Sequence, residues 1–250
     1  NRTSATFAPT DWMIEELENK GYRNLHMLSR GVDRTLFSPR QRSEKLRKKW
    51  GVNKTEKVVV TVSRIAAEKN LDLTCSLTDE MIRQGKAKAG VIVGDGPELK
   101  KLKQKFPELH FTGCLSKQAL AEHYASGDVF LFSSVTETFG NVVTEALASG
   151  TPVVAYDYAA PSEFIEENIN GFLAPLNDVD VLKKKLNEIL SLDFKILAEF
   201  KEAAQKSTQK ADWDFILQKF HTDLLEIIKK DKNHNLSEFS PSRKTQPYPA

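Results

Sequence analysis

The chain has 250 residues, 40% of them hydrophobic and 28% charged, which is enough to bury a core and excludes a wholly disordered protein. Its apolar runs are far shorter than the roughly 20 residues of a transmembrane helix, and its two cysteines are too few for a disulfide framework or a zinc module. The net charge is +2, but residues 229–250 hold five basic and two acidic residues, so the remainder is slightly acidic and a nucleic-acid partner is not expected.

Residues 1–39 predict a helix over 11–20 and a short strand near 25–28. One helix–strand step cannot enclose a core. The chain also begins at Asn1, without Met or the pattern of a signal peptide. We therefore expect a fragment of a longer protein, in which residues 1–39 are the remnant of a preceding domain.

The segment from Arg40 to Lys49 carries six basic residues against Glu44 alone. It is predicted to be a solvated helix. The alternative is a contact with phosphate or with an anionic membrane surface, since such surfaces attract basic clusters.

From residue 51 to 210, six short apolar runs are each followed by an amphipathic segment, the pattern of parallel βαβ units. The strand and helix ranges are 58–62 and 71–83, 90–93 and 98–105, 109–112 and 117–125, 128–132 and 140–149, 152–156 and 161–167, and 171–174 and 179–190. Six alternations predict an α/β fold, a doubly wound parallel sheet of the Rossmann type, within a domain spanning 40–210. Helical spacing of apolar residues predicts a further helix over 211–230, and the composition of 231–250 predicts a disordered tail.

Ligands of doubly wound sheets bind beyond the carboxyl ends of the strands, so the strand–helix loops are the candidate sites. After the first strand of this domain, Arg64 and Lys69 lie beside a helix start. A guanidinium fork, an ammonium and free N–H groups suit a diphosphate. The alternative is a basic loop exposed to water.

The next loop, Gly94-Asp95-Gly96-Pro97, resembles a dinucleotide fingerprint, but Leu99 stands where the third glycine belongs. What remains is a tight turn in which Gly94 and Gly96 let the backbone approach a ligand, or a turn with a purely structural role.

The third loop holds Glu137, followed by Phe139, Gly140 and Asn141 at the start of a helix that carries Glu145 one turn further on. The two glutamates are poorly placed for an acid–nucleophile pair about 5 Å apart. Two separated carboxylates on either side of a helix N-terminus suit an elongated ligand, with hydroxyls at its ends and phosphates between them. A sugar nucleotide has that form.

These residues resemble the retaining glycosyltransferases of family 4, which have the GT-B fold of two facing Rossmann-like domains. Glu137 and Glu145 match the E-x7-E motif of that family. Four further segments agree, in the family's order, across roughly residues 20–230: Gly31-Val32-Asp33 with Phe37-Ser38-Pro39, Ser63-Arg64 with Glu68-Lys69-Asn70, Gly94-Asp95-Gly96-Pro97, and Phe111-Thr112-Gly113.

The resemblance implies a role for each matching position. Arg64 and Lys69 would hold the donor diphosphate and stabilise the leaving nucleotide, and Glu137 would contact hydroxyls of the donor sugar. The remaining donor contacts would be the turn at Gly94 and Gly96, the main chain of Phe139, Gly140 and Asn141, Glu145 at the ribose, and the loop at Leu115 against the base.

The implied reaction moves a hexose from a donor of the GDP-mannose or UDP-glucose type to a glycan or lipid acceptor, with retention of anomeric configuration and without a metal or other cofactor. The D-x-D triplets at 178–180 and 212–214 are interpreted as helix caps instead of metal ligands. The cytoplasm is the expected location, and a peripheral contact with the membrane is left open.

In this resemblance, residues 1–39 are the end of an N-terminal acceptor domain, and 211–230 form a helix that crosses back to it. The missing domain would be supplied in cis or by a partner subunit, and the chain alone would be inactive. Two alternatives remain: a non-catalytic donor-binding subunit that needs a separate acceptor-domain partner, and a nucleotide-sugar epimerase of the same fold.

Overall fold

A computed structural model of the chain describes residues 3–238. Its strands are β1 (Thr6–Ala8), β2 (Leu25–Met27), β3 (Val58–Val62), β4 (Ala89–Val93), β5 (His110–Gly113), β6 (Val129–Phe132), β7 (Val153–Tyr156) and β8 (Gly171–Ala174). Its α-helices are α1 (Asp11–Asn19), α2 (Glu44–Lys49), α3 (Leu71–Arg83), α4 (Leu99–Lys105), α5 (Lys117–Ser126), α6 (Asn141–Ala148), α7 (Ala160–Phe164), α8 (Val179–Ser191), α9 (Phe194–Ser207) and α10 (Trp213–Glu238).

The main sheet has six parallel strands in the order β5-β4-β3-β6-β7-β8. The chain begins this sheet at β3, builds outward to β5, then returns to the other side of β3 with β6. This is the doubly wound order of a Rossmann fold, and the predicted fold class is confirmed. The order reverses between β3 and β6, which is where such sheets open a crevice for ligands.

The central strands form because their residues fit a sheet covered on both faces. All five residues of β3 are buried. Val58 and Val60 pack into one apolar cluster, whereas Val59 packs into the cluster on the opposite face. Side chains alternate between the faces of a strand, so a run that is apolar at every position must be buried on both sides.

The N-terminal segment makes a small sheet of its own, in which β1 pairs in parallel with β2. Strand β1 was not predicted. The segment is tied to the start of α10, because the Val32 amide donates to the Ala211 carbonyl at 2.7 Å and Gly31 lies against the Trp213 ring. A Cβ on Gly31 would approach that ring to 2.4 Å.

Helix α10 runs to Glu238, past the predicted end at 230. The prediction of disorder over 231–250 is therefore wrong for 231–238, and residues 239–250 lie outside the described residues. None of the helices within residues 3–238 is both long and apolar enough to cross a membrane.

The prediction of a solvated helix for the basic segment is wrong at Arg47. This side chain has no exposed surface, and its Nη1 atom lies 2.8 Å from Oδ2 of Asp128 at the start of β6. Its Nη2 atom donates to the carbonyls of Asn53 and Glu56. The helix is also shorter than the basic segment, because residues 39–41 form a 3-10 turn.

Candidate functional site

The site lies where the loops after β3 and β6 meet, at the point of strand-order reversal. Thr136 Oγ1 donates to the Glu68 carbonyl at 2.9 Å, and the hydroxyls of Thr74 and Ser133 lie 2.5 Å apart. The Ser133 hydroxyl also donates to the carbonyl of Asn70, which occupies a left-handed conformation just before α3. These bonds hold the two loops at a fixed separation.

A cleft of about 280 Å³ opens between these loops. Six of the predicted site residues line it: Arg64, Lys69, Glu137, Phe139, Gly140 and Asn141. Arg30, which follows β2, also lines the cleft and had no motif to indicate it.

Lys69 and Glu137 form an ion pair in the cleft. The Lys69 Nζ atom lies 2.6 Å from Oε1 of Glu137 and 3.0 Å from the Thr136 carbonyl. The side chains are only 17% and 15% exposed, respectively. A partly buried ammonium with one carboxylate partner can accept an anionic ligand if the carboxylate moves aside or binds the neutral part of the same ligand.

Arg64 sits at the mouth of the cleft with a 65% exposed side chain and pairs with Glu68 one turn away. Exposed pairs of this kind contribute little to stability. Its guanidinium can therefore exchange Glu68 for a phosphate at low cost. Together with Lys69 and Arg30, it gives the cleft three basic side chains against Glu137.

Helix α6 begins at the floor of the cleft. Gly140 precedes its first residue with φ of 101°, a conformation that favours glycine. The Phe139 ring is buried and packs edge-on against Phe164, with ring centroids 6.0 Å apart. Phe139 and Gly140 therefore offer only their main chain to a ligand, whereas the side chain of Asn141 is exposed. The first N–H groups of a helix have no partner within it and favour anions.

Glu145 lies one turn along α6 from Asn141 but does not line the cleft. Its Oε2 atom accepts a hydrogen bond from the Tyr124 hydroxyl at 3.0 Å. Burial raises the pKa of Glu145 above its ordinary value, although the Tyr124 hydroxyl and the charge of Lys117 act in the opposite direction. Lys117 opens α5 just after Leu115, which is partly buried against the core. The charge of Lys117 thus acts on Glu145 from the segment that also carries Leu115.

Gly94 and Gly96 lie outside the cleft lining, beneath the loop that carries Arg64. A Cβ on Gly94 would come within 1.9 Å of the Ser63 carbonyl oxygen, and one on Gly96 within 2.2 Å of that of Ile65. Both glycines have positive φ. They allow the turn after β4 to pass under residues 63–65, which supports the position of Arg64.

Two tyrosines of the site are not indicated by any pattern in the sequence. Tyr124 holds Glu145, as described above. Tyr158, in the loop between β7 and α7, holds Glu137: its hydroxyl donates to the Glu137 carbonyl at 2.8 Å. Neither tyrosine belongs to a motif, and each approaches its glutamate from an element 21 residues away in sequence.

The D-x-D triplets act at helix starts. Asp178 accepts a hydrogen bond from the Val181 amide and caps α8, and Asp212 accepts one from the Asp214 amide ahead of α10. Within residues 3–238, no group of three or more His, Cys, Asp or Glu side chains is arranged to hold a metal ion.

A doubly wound sheet with a basic cleft at its switch point defines a Rossmann-like domain suited to a phosphorylated ligand. Residues 42–207 match the family model described as "Glycosyl transferases group 1". The chain belongs to this family, and its fold corresponds to the C-terminal half of a GT-B enzyme. The resemblance seen in the motifs is confirmed.

Curated relatives cover the chain widely. The GDP-mannose-dependent alpha-mannosyltransferase of Corynebacterium glutamicum is 32% identical over 249 residues, which are 100% of this chain and 59% of that protein. The sulfoquinovosyl transferase SQD2 of Arabidopsis thaliana is 38% identical over 196 residues, covering 76% of this chain and 37% of that protein. This chain thus spans about half the length of the relatives it matches.

Among solved structures, the Anabaena protein Alr3699/HepE in complex with UDP and glucose has a TM-score of 0.76 at 24% identity, covering 90% of this chain and 64% of that one. TarM of S. aureus has a TM-score of 0.72 at 23% identity, covering 89% of this chain and 43% of that one. At such identities the likeness supports the fold.

Proposed function

We propose that this chain is the donor-binding half of a glycosyltransferase that moves a hexose from a nucleoside-diphosphate sugar to a glycan or lipid acceptor. The observation that carries the proposal is the Lys69–Glu137 pair at the switch point, with Arg64 on the same cleft. It puts cations for a diphosphate next to a carboxylate for sugar hydroxyls.

In this proposal Lys69 and Arg64 neutralise the diphosphate and stabilise its charge as the glycosidic bond breaks. Glu137 binds hydroxyls of the donor sugar, and the main chain at Phe139, Gly140 and Asn141 meets the phosphate or the sugar. The cations take the part that a metal has in other transferases, so the reaction proceeds without one. The departing phosphate accepts the acceptor proton on the face it leaves, which retains the anomeric configuration.

Glu145 is proposed to bind the ribose and the Leu115 loop the base. A donor of the GDP-mannose type is favoured by the likeness to GDP-mannose-dependent mannosyltransferases, with a UDP-glucose type as the alternative. Retention is tested by the anomeric configuration of the product, and metal independence by activity in excess EDTA. An epimerase would interconvert free nucleotide sugars without an acceptor.

Glu145→Ala is expected to weaken nucleotide binding about tenfold, because a ribose hydroxyl would lose a charged hydrogen-bond acceptor. Isothermal calorimetry with GDP, UDP and ADP measures the change. No binding of any nucleotide to the wild type, or equal affinity in the variant, would remove the assignment.

The pH dependence adds an independent check on Glu145. Because its folded pKa is raised, the carboxylate is protonated at a higher pH than an ordinary glutamate, and its contribution to ribose binding falls as the pH drops through that raised value. Glu145→Gln lacks this titration, so the ratio of wild-type to variant affinity should shrink on acidification. Phosphate titration affects both proteins alike and cancels in the ratio.

The first and last segments are proposed to belong to the interface with an N-terminal acceptor domain, in cis or in a partner subunit. An apolar cavity of about 410 Å³ lies between β1, β2 and α10. In this cavity the Phe7 and Phe220 rings pack edge-on, with their centroids 5.1 Å apart. Between residues 213 and 230, helix α10 also exposes five large apolar side chains: Trp213, Phe215, Leu217, Leu225 and Ile228. Residues 40–210 would then be the nucleotide-sugar-binding domain.

A lipid acceptor would bring the chain to an anionic membrane surface. Arg47 is buried, which leaves Arg40, Lys45, Lys48 and Lys49 as the exposed cations of the basic segment. Lys48→Gln is expected to weaken sedimentation with vesicles rich in anionic lipid about fivefold at low salt. Lys184→Gln removes one exposed charge from α8, which packs on the opposite face of the sheet, and serves as the matched control. Vesicle binding that does not change with salt concentration, or that is equal in the wild type and Lys48→Gln, would contradict a membrane contact through this segment.

A further inference from the structure

Tyr158 is a polar side chain of the site that the proposed chemistry does not yet use. Its hydroxyl donates to the Glu137 carbonyl at 2.8 Å and lies 3.4 Å from the Glu137 amide, which donates to it. One hydroxyl therefore holds both main-chain polar groups of the residue whose carboxylate enters the cleft. These two bonds fix the main chain of Glu137, and they do not involve its carboxylate.

The loop that carries Tyr158 is itself held rigidly. Ala159 has φ of 56° and ψ of −135°, an unfavourable conformation for a residue with a Cβ, and it is fully buried. The next amide, of Ala160, donates to the Phe139 carbonyl at 2.9 Å. The loops after β6 and β7 are thus joined at Glu137 and at Phe139, just before Gly140, and the strained residue lies between the two contacts on the β7 side.

On its other side, Tyr158 contacts the N-terminal segment. The Trp12 ring packs edge-on against the Tyr158 ring, with centroids 5.0 Å apart. The Asp11 amide donates to Oε1 of Glu163 in α7 at 2.7 Å. Helix α1 therefore contacts both the loop between β7 and α7, at Tyr158, and α7 itself, at Glu163.

The Lys69–Glu137 pair explains why a main-chain anchor matters. When a diphosphate draws the Lys69 ammonium toward its own oxygens, the Glu137 carboxylate loses part of the ion pair that it forms in the cleft. The Tyr158 hydroxyl, which binds the main chain, is unaffected by that exchange. Glu137 then keeps its place while its carboxylate turns to a neutral, hydroxyl-bearing group.

We infer that Tyr158 is a positioning residue, which acts through Glu137 to select donors that carry a sugar over the bare nucleoside diphosphate. The inference rests on the proposed function. Tyr158 does not itself contact the ligand. The Trp12 ring of α1 packs on Tyr158 and helps to hold it in this position.

Tyr158→Phe removes the hydroxyl and retains the ring against Trp12. Calorimetry compares each nucleoside diphosphate with its sugar donor: GDP with GDP-mannose, UDP with UDP-glucose and ADP with ADP-glucose. The variant should lose about five- to tenfold in affinity for the preferred sugar donor, the range for one net hydrogen bond, and less than twofold for the diphosphate. Tyr22→Phe, at an exposed tyrosine, should change neither.

A double-mutant cycle separates positioning from general loosening. In a Glu137→Ala background, Tyr158→Phe should cause no further loss of sugar-donor affinity, because the carboxylate it positions is absent. Trp12→Leu, which keeps Tyr158 but removes the ring packed on it, should show a smaller loss with the same selectivity. Thermal unfolding of each variant verifies that the protein assayed is folded.

Equal losses for diphosphate and sugar donor, or additive losses in the cycle, would overturn the inference and leave the proposed function intact. Unchanged sugar-donor affinity in Tyr158→Phe would also overturn it. A wild-type chain that binds none of the six nucleotides would instead overturn the proposed function, and the inference with it.

Discussion

Replacing Asp128 with asparagine is expected to lower the free energy of unfolding by about 3 to 5 kcal/mol, because it leaves buried cations without their counter-charge. Asp128 is 2% exposed, and its two oxygens accept from Arg47 at 2.8 Å and from Lys201 at 2.6 Å. Its Oδ2 atom also accepts from the Val58 amide at 2.9 Å. An asparagine retains one acceptor and turns an NH₂ group toward a cation.

The pH dependence has a definite sign. Burial opposes the charged form of Asp128, but Lys201 and Arg47 outweigh burial, so its pKa lies below the ordinary 3.8. A lowered carboxylate pKa stabilises the folded state at every pH above 3.8, and this stabilisation is lost as the pH falls through the folded value. The stability gap between wild type and Asp128→Asn should therefore close below pH 3.8.

Urea unfolding followed by tryptophan fluorescence measures both effects. Asp72→Asn is the matched control, since Asp72 pairs with Lys105 at 2.7 Å and both side chains are 51% exposed. Such a pair contributes less than about 1 kcal/mol. Equal losses in the two variants would show that the buried pairs of Asp128 with Arg47 of α2 and Lys201 of α9 do not stabilise the fold.

Arg47 also shows what the sequence could not reveal. A basic residue within a run of basic residues is ordinarily exposed, and nothing near position 47 predicts otherwise. Its partner Asp128 lies 81 residues away, at the start of β6. Whether a charged side chain is buried depends on the segment that packs against it. Here that segment is distant in sequence, so the residues around position 47 cannot indicate it.

The main sheet was predictable for the opposite reason. Strands such as Val58–Val62 are buried on both faces, so each is marked by its own residues. Strand β1 has three residues and, within the described part of the chain, pairs with β2 alone. Neither its length nor its pattern marks it in the sequence. Helix α7 ends at Phe164, short of the predicted 167, because the Asn170 side chain binds both the Phe164 carbonyl and the Glu166 amide.

The candidate site was predictable where one loop carries several polar residues at once. Lys69 and Glu137 each stand in such a loop, and parallel strands bring their carboxyl ends to the same edge. Arg30, Tyr124 and Tyr158 come from other segments, each as a single residue. Their contribution depends on how the loops pack, which no spacing within the chain expresses.

Lys69→Ala is expected to weaken binding of nucleoside diphosphates about 100-fold, the largest functional effect of a single change in the cleft. Two losses combine. The phosphates lose a charged hydrogen-bond donor. The carboxylate of Glu137, whose side chain is only 15% exposed, is left facing them without its partner 2.6 Å away. Repulsion between that carboxylate and the diphosphate adds to the lost attraction.

The second loss can be separated from the first. Adding Glu137→Gln to Lys69→Ala removes the repulsion between the carboxylate and the diphosphate but does not restore the ammonium. The affinity for the diphosphate should therefore recover by about tenfold. Glu137→Gln alone should leave diphosphate affinity nearly unchanged and reduce the affinity for the sugar donor, because its carboxylate is assigned to the sugar. Calorimetry with GDP and UDP and their sugar donors measures all four corners of this cycle.

Lys101→Ala on α4 is the matched control. It removes one positive charge from an exposed pair with Glu98, and so measures the effect of net charge alone. If Lys69→Ala binds nucleotides within twofold of this control, the cleft is not the diphosphate site. If Glu137→Gln instead restores nothing in the Lys69→Ala background, Glu137 does not face the phosphates once its partner is gone. Lys69 would then act through its own charge alone, and the whole loss in Lys69→Ala would come from the missing ammonium.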